Sequence, residues 1–153
     1  MSPYDIDEAI QKLLRSALPI TVPVYKAQFV ASPDIKPSPL GYCYWNIDQY
    51  LADHCSEGLS GTNGEVVTFT LDVAVAAHDN TQRKSLAANV LNTLQPVSNG
   101  RRRQLTAYTV PGTSVRINYL RMEATEEVPS MKTGQSTPDM TMLLITFSGK
   151  ATC

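Results

Sequence analysis

The chain has 153 residues, 42% of them hydrophobic and 18% charged, and its 13 basic and 14 acidic groups leave a net charge of −1. That length suits one domain over 1–153, able to bury a core without a metal or a disulfide. Near-neutral charge argues against a general nucleic-acid binder, and no apolar run approaches the roughly 18 residues of a membrane span.

The opening MSPYDIDEAI lacks the cationic region and apolar core of a secretory leader, so the chain is expected to stay in the compartment where it is made. Three cysteines, Cys43, Cys55 and Cys153, cannot all pair within one chain and are expected to be reduced. His54 adjoins Cys55, but no close ligand pair of the C-x2-C kind exists, so neither a metal site nor a cofactor is expected.

Residues 3–17 read as a helix. Ile6, Ala9, Ile10, Leu13, Leu14 and Ala17 fall on one stripe, with Asp7, Glu8, Gln11, Lys12 and Arg15 opposite. Ser2 can cap it, Pro3 suits the first turn, Asp5 favours the positive end of the dipole, and Pro19 helps to end it. Residues 20–30 look extended, although Pro23 forbids a fully paired central strand. Pro33, Pro37 and Pro39 then stiffen a surface loop over 31–41. The aromatic run YCYWNIDQYL reads as a strand, with Tyr42, Tyr44 and Tyr50 on one face by alternation and Trp45 on the other.

Residues 53–64 carry three glycines and read as a loop or hairpin tip. From Val67 the alternation is strict: Val67, Phe69, Leu71, Val73 and Val75 share one face, Thr68, Thr70 and Asp72 the other. Asp79, Asn80 and Thr81 are each able to cap the next helix, in which Leu86, Ala87, Val90, Leu91 and Leu94 form the stripe and Pro96 follows the end. A long connection is expected over 97–114. In VRINYLRMEA the apolar phase shifts between Tyr119 and Leu120, which predicts either a β-bulge or a change of packed face. Residues 125–138 read as a polar loop. The last strand, DMTMLLITFSGKA, is apolar on both faces from Met142 to Phe147 and so should be central in its sheet.

A helix, three strands, a helix and two strands are too few crossovers for a doubly wound parallel sheet. The expected fold is α+β: a mostly antiparallel, mixed sheet with its helices on one face.

Three places could carry function. Asp72, His78 and Asp79, with Glu65, could form a metal-assisted hydrolytic site, as in a nuclease or phosphohydrolase. Against this, Asp72 lies mid-strand on the polar face, six residues before His78, and Asp79 stands where a helix cap belongs. No nucleophile elbow, P-loop or dinucleotide fingerprint occurs, and no catalytic residue is assigned. Arg101, Arg102 and Arg103 follow the turn pair Asn99-Gly100. Their guanidinium groups could grip phosphates or carboxylates, those of an acidic partner or a neighbouring subunit before sequence-specific DNA, or simply be solvated. Trp45 and Tyr44 belong to a cluster of rings that serves either as core or as interface anchors, a small peptide-binding module being the corresponding alternative.

Taken together, the N-terminal amphipathic helix, PITVPVYKAQF, the Pro-rich loop, PLGYCYWNI, and the strand EVVTFTLDVAVAAHD running directly into NTQRKSLAANVLNTLQP resemble the tail terminator (tail completion) proteins of long-tailed bacteriophages and their related neck proteins. In that family the strand that breaks into a helix is the central β–α unit of a sheet flanked by helices. The resemblance implies a structural virion protein with no chemistry of its own. It implies a ring, commonly a hexamer, that caps the tail tube, stops its polymerisation and meets the head-side connector. Implied partners are copies of itself, the tail-tube protein and the connector, with DNA passing through unbound and no membrane. The implied location is the virion tail or neck, after assembly in the host cytoplasm. A head–tail connector subunit is the alternative within the same resemblance.

Overall fold

One strand organises the rest. The computed structural model describes residues 3–26, 41–55, 64–77, 79–131 and 140–152. Its elements are α1 (Pro3–Ala17), β1 (Val24–Lys26), β2 (Tyr42–Cys55), β3 (Gly64–Ala77), α2 (Asn80–Leu94), β4 (Val97–Ser98), β5 (Arg101–Arg102), β6 (Leu105–Thr109), β7 (Arg116–Met131) and β8 (Met140–Thr152). Six strands form one sheet in the order β1-β2-β3-β8-β7-β6, and β4 and β5 make a separate ribbon. Only the β1–β2 pair is parallel, and the others in the sheet are antiparallel. The fold is α+β, as expected, and β8 lies inside the sheet between β3 and β7, where its two-sided apolar stretch put it.

The alternation in β3 decides which face is dry. Val67, Phe69, Leu71, Val73 and Val75 are at most 1% exposed. They pack with Ile145 and Phe147 of β8 beneath Ile6, Ile10, Leu13 and Leu14 of α1 and Leu86, Val90 and Leu94 of α2. Each such side chain stabilises the fold by about 1.5–3 kcal/mol through the apolar surface it removes from water. Both helices therefore cover one face. On the other face a small second cluster joins Tyr42, Tyr44, Ala74 and Ala76, with Tyr25 and Leu144 packed against it. The Tyr42 and Tyr44 rings stack there, 5.6 Å between centroids.

Bulges correct the phase where the pattern drifts. The register of β2 against β3 shifts between Ile47 and Gln49. Asp48 is thus the extra residue, and Tyr50 moves to the helix side, where it packs on the main core. Simple alternation placed Tyr50 with Tyr42 and Tyr44, and the bulge is the reason it failed. In β7 the phase shift is explained by a bulge, the first of the two alternatives, between Ile117 and Tyr119, and another follows between Met122 and Ala124. The first turns Tyr119 away and brings Leu120, fully buried, into the core.

Several strands run further than the composition suggested. β2 reaches Cys55 and β3 begins at Gly64, inside the expected 53–64 loop. β7 continues to Met131, through half of the expected 125–138 loop. The 97–114 connection holds a β-hairpin and the edge strand β6. Polar side chains misled here, because an exposed strand with two solvated faces has no alternation to read. Of the extended 20–30 stretch, Val24–Lys26 pair as a strand and 20–23 do not, while 27–30 lie outside the described residues. The 31–40 part of the proline-rich loop, the helix-capping Ser2, and residues 132–139 lie outside the described residues.

Both helices are closed by specific groups. Asp79 caps α2 and accepts from the Thr81 amide at 3.0 Å. Beyond the end of α1, the Arg15 guanidinium donates to the carbonyls of Val22 (2.5 Å), Leu18 (3.3 Å) and Pro19, fastening the turn that follows the helix back onto its last turn. Gln11 ties the same helix to the sheet, donating to the Val24 carbonyl at 3.1 Å and accepting from the Trp45 indole N–H at 2.6 Å.

Gly41 enters β2 at φ +94°, where an added Cβ would stand 2.6 Å from the Ala76 carbonyl oxygen and 2.8 Å from Leu86 Cδ1. Gly41→Ala is expected to cost about 2–4 kcal/mol, combining left-handed backbone strain with a clash against a fixed carbonyl. Chemical denaturation checks this. A second expectation concerns pH. Burial pushes the Cys43 thiol up to about 12, offset in part by Arg15, and pushes the Tyr44 hydroxyl up to about 12, reinforced by Tyr42 and Tyr25. The folded chain holds these protons at pH values where the unfolded chain, at its ordinary 9.0 and 10.0, has released them. Stability should therefore be unaffected by these two groups below pH 9 and fall as pH rises from about 9 towards 12. Melting temperature against pH reads this directly, and Cys43 should resist thiol reagents until the chain unfolds.

Candidate functional site

The arginine run sits on a rigid ribbon. Asn99 (φ 53°) and Gly100 (φ 73°) both adopt left-handed backbone, which is what a two-residue type I′ hairpin demands. Val97 then pairs with Arg102 and Ser98 with Arg101. The three arginines do not play one role. Arg102 Nη1 donates to Asn92 Oδ1 at 3.0 Å and to the Gln95 carbonyl at 3.2 Å, so it closes the end of α2 much as Arg15 closes α1. Gln95 itself, 5% exposed, donates to the Leu120 carbonyl at 2.7 Å and anchors the helix end to β7. The Arg103 amide donates to the Pro96 carbonyl at 2.9 Å. The side chains of Arg101 and Arg103 are exposed, and among the described residues neither has an ion-pair partner. Two guanidinium forks are thus held on a stiff projection, suited to bidentate contact with a carboxylate or phosphate.

Of the two ring candidates, Trp45 is 3% exposed and Tyr44 8%. Trp45 lies in the main core, with Lys26 Nζ 5.7 Å from its ring centroid. Lys26 in turn meets Asp7 at 2.5 Å. These groups, with Gln11, Glu8, Val24 and Tyr25, line a shallow groove of about 500 Å³ between α1 and β1. Both rings spend their contact area inside the chain, and their evident work is packing.

The hydrolytic constellation is not assembled by the described residues. Asp72 faces Asn46 across β2 and accepts from the Thr146 hydroxyl at 2.9 Å, mid-sheet on the face without helices. Asp79 is engaged as the α2 cap. His78 lies outside the described residues, and of the Glu65 side chain only its strand position opposite His54 is defined. Among the described residues, no group of three His, Cys, Asp or Glu side chains could hold a metal ion. No helix among them is long and apolar enough to cross a membrane.

Two polar links escaped the sequence reading. Arg83, only 6% exposed, pairs at 2.9 Å with Glu127 on β7. A signal existed: position 83 falls on the α2 stripe with Leu86, Ala87, Val90 and Leu94, so a cation there needs a partner. Glu123 accepts from the Ser148 hydroxyl at 2.6 Å and from Arg121 at 3.0 Å, and these bonds, Ser148 first, hold its carboxyl below the usual range. That pairing depends on the bulge at Glu123, which the residue pattern did not announce.

No protein-family model matches the chain, and no curated protein matches it. Among solved structures, a chain from the virion of a native gene transfer agent particle aligns over 95% of this chain and 92% of its own, at 17% identity and a TM-score of 0.47. A second solved protein aligns over 97% of this chain and 96% of its own, at 16% identity and a TM-score of 0.41. At those scores neither likeness bears on function.

Arg102→Ala is expected to lower stability by about 1 kcal/mol, since it removes hydrogen bonds to a helix end, whereas Arg101→Ala should change it by less than about 0.5 kcal/mol. Parallel thermal or urea melts of the two variants separate the roles.

Proposed function

We propose that the chain, folding as one domain over residues 1–153, is a structural virion protein of a long-tailed phage or phage-like particle. It works as a subunit of a ring, a hexamer on the pattern of the tail terminator proteins. In this reading the ring caps the last tier of tail-tube subunits, stops their polymerisation and presents a surface to the head-side connector. The DNA passes through without specific contact. A ring of identical copies needs one surface patch to meet a different patch on the next copy, in a heterologous contact that closes.

The observation that supports the reading is the central β–α unit. β3 lies inside the six-stranded sheet and ends at Ala77, two residues before the cap of α2. That is the arrangement the resemblance in EVVTFTLDVAVAAHDNTQRKSLAANVLNTL leads one to expect. Arg101 and Arg103 are the side chains best placed to meet an acidic partner, Arg102 being committed to α2. Trp45 and Tyr44 are assigned to the packing that keeps the sheet rigid behind such contacts.

Mass measurement in solution, alone and on mixing with the tail-tube protein, tests this. A closed ring in either condition is expected. A monomer that hydrolyses phosphodiesters with magnesium, and loses that activity on Asp72→Ala, would replace the reading with an enzymatic one. Arg101→Glu combined with Arg103→Glu should weaken assembly with the partner while leaving the melting temperature nearly unchanged. Unaltered assembly would remove the hairpin from the account.

A further inference from the structure

Resting on the ring reading, we infer that neighbouring copies join through opposite charge, the arginine hairpin of one copy meeting Glu8 and Asp48 on the far flank of the next. The distribution of charge along the chain carries this. A net charge of −1 conceals a division: residues 1–77 hold nine acidic and four basic groups, and residues 78–153 hold five acidic and nine basic. At the described positions alone, the first part carries seven acidic and three basic groups, the second four acidic and eight basic.

The fold turns that division into a polarity in space. The sheet order puts β1, β2 and β3 on one flank and β8, β7 and β6 on the other. Each helix is fastened to its own half. Asp7 and Gln11 tie α1 to Lys26, Val24 and Trp45, and Arg83 and Gln95 tie α2 to Glu127 and Leu120 of β7. The line between the acidic and the basic half therefore runs between β3 and β8.

Each flank engages its minority charge inside the chain. On the acidic flank Lys26 meets Asp7, Lys12 meets Glu8, and Arg15 holds backbone carbonyls. On the basic flank Glu123 pairs with Arg121, Glu127 with Arg83, and Asp79 caps α2, so that Glu126 is the acid not so engaged among the described residues. The majority charges are left in water. Arg101, Arg103, Arg116 and Lys150 are exposed and, among the described residues, have no ion-pair partner. Asp48, exposed at the β2 bulge, has none there either and accepts only from the Asn46 amide, at 2.9 Å. The Glu8 side chain is 60% exposed, and its i,i+4 pair with Lys12 is of the weak, solvated kind that an arginine fork readily displaces.

The polarity selects the partner. A contact that set one flank against the same flank of another copy would oppose like charges. A head-to-tail contact pairs unlike ones and repeats around a ring. The hairpin suits that contact, because Arg102 is turned to α2 and alternation along the ribbon turns Arg101 the other way.

Charge reversal in matched sets tests this on the full-length protein, by mass measurement with and without tail-tube protein. Arg101→Glu with Arg103→Glu sets acid against acid at the contact, and Glu8→Lys with Asp48→Lys sets base against base. Each set alone should raise the concentration for half-assembly by about tenfold or more, with little change in melting temperature. Mixing the two variants, or placing all four substitutions in one chain, should restore assembly, because every contact is again between unlike charges. A ring that forms normally from the Glu8 and Asp48 variant overturns this inference and leaves the ring reading standing. So do four substitutions that fail to restore what two remove. So does an arginine variant whose ring stays closed but no longer joins the tail-tube protein, a result that gives the hairpin to the tube. Failure of the native chain to assemble at any concentration, with or without tail-tube protein, overturns both.

Discussion

The fold depends on β3 holding its odd-numbered residues dry along the whole strand. A slip of one position would turn Val67, Phe69, Leu71, Val73 and Val75 out to water and bring Thr68, Thr70 and Asp72 in. The strand is held on both sides, by β2 from Tyr42 to Cys55 and by β8 from Thr141 to Thr152. The flanking strands absorb the irregularities, with bulges in β2 and β7 and none recorded between β3 and β8. Local curvature is thus placed away from the strand whose register matters most.

The helices, by contrast, are fastened by a few directional contacts. Arg15 and Arg102 gather carbonyls beyond the two helix ends, and Gln11 and Gln95 each bond a helix to the sheet. These groups explain why polar residues sit in positions that hydrophobicity alone would leave to apolar ones. Among the described residues, no buried side-chain nitrogen or oxygen lacks a hydrogen-bond partner.

Much of this could be read from the residues. Helix α1, strand β3, the Asp79 cap and the central place of β8 follow from spacing and composition, because each buries a face and the burial leaves a period. Tyr50 could not be placed, since one extra residue at Asp48 inverts the phase and no local pattern marks it. The reach of β7 to Met131 and the presence of β6 were hidden for a different reason: solvated strands carry polar residues on both sides and resemble loops. The arginine run was visible, but its division of labour was not. That Arg102 serves the helix while Arg101 and Arg103 do not depends on the turn at Asn99-Gly100 and on where Asn92 and Gln95 finish up. The Arg83–Glu127 pair joins residues 44 apart in sequence, a distance no motif spans.

That last pair has a mechanical consequence. The far part of β7 stands clear of β6, yet Glu127 grips a nearly buried guanidinium in the first turns of α2. A load applied to this arm has a short path into the helical layer, through one charge-assisted link and then down α2 to Gln95, which holds Leu120 on the same strand. Arm, helix and strand form a triangulated brace, and a brace of that shape resists bending at the root of the arm, where a lone hairpin would give way.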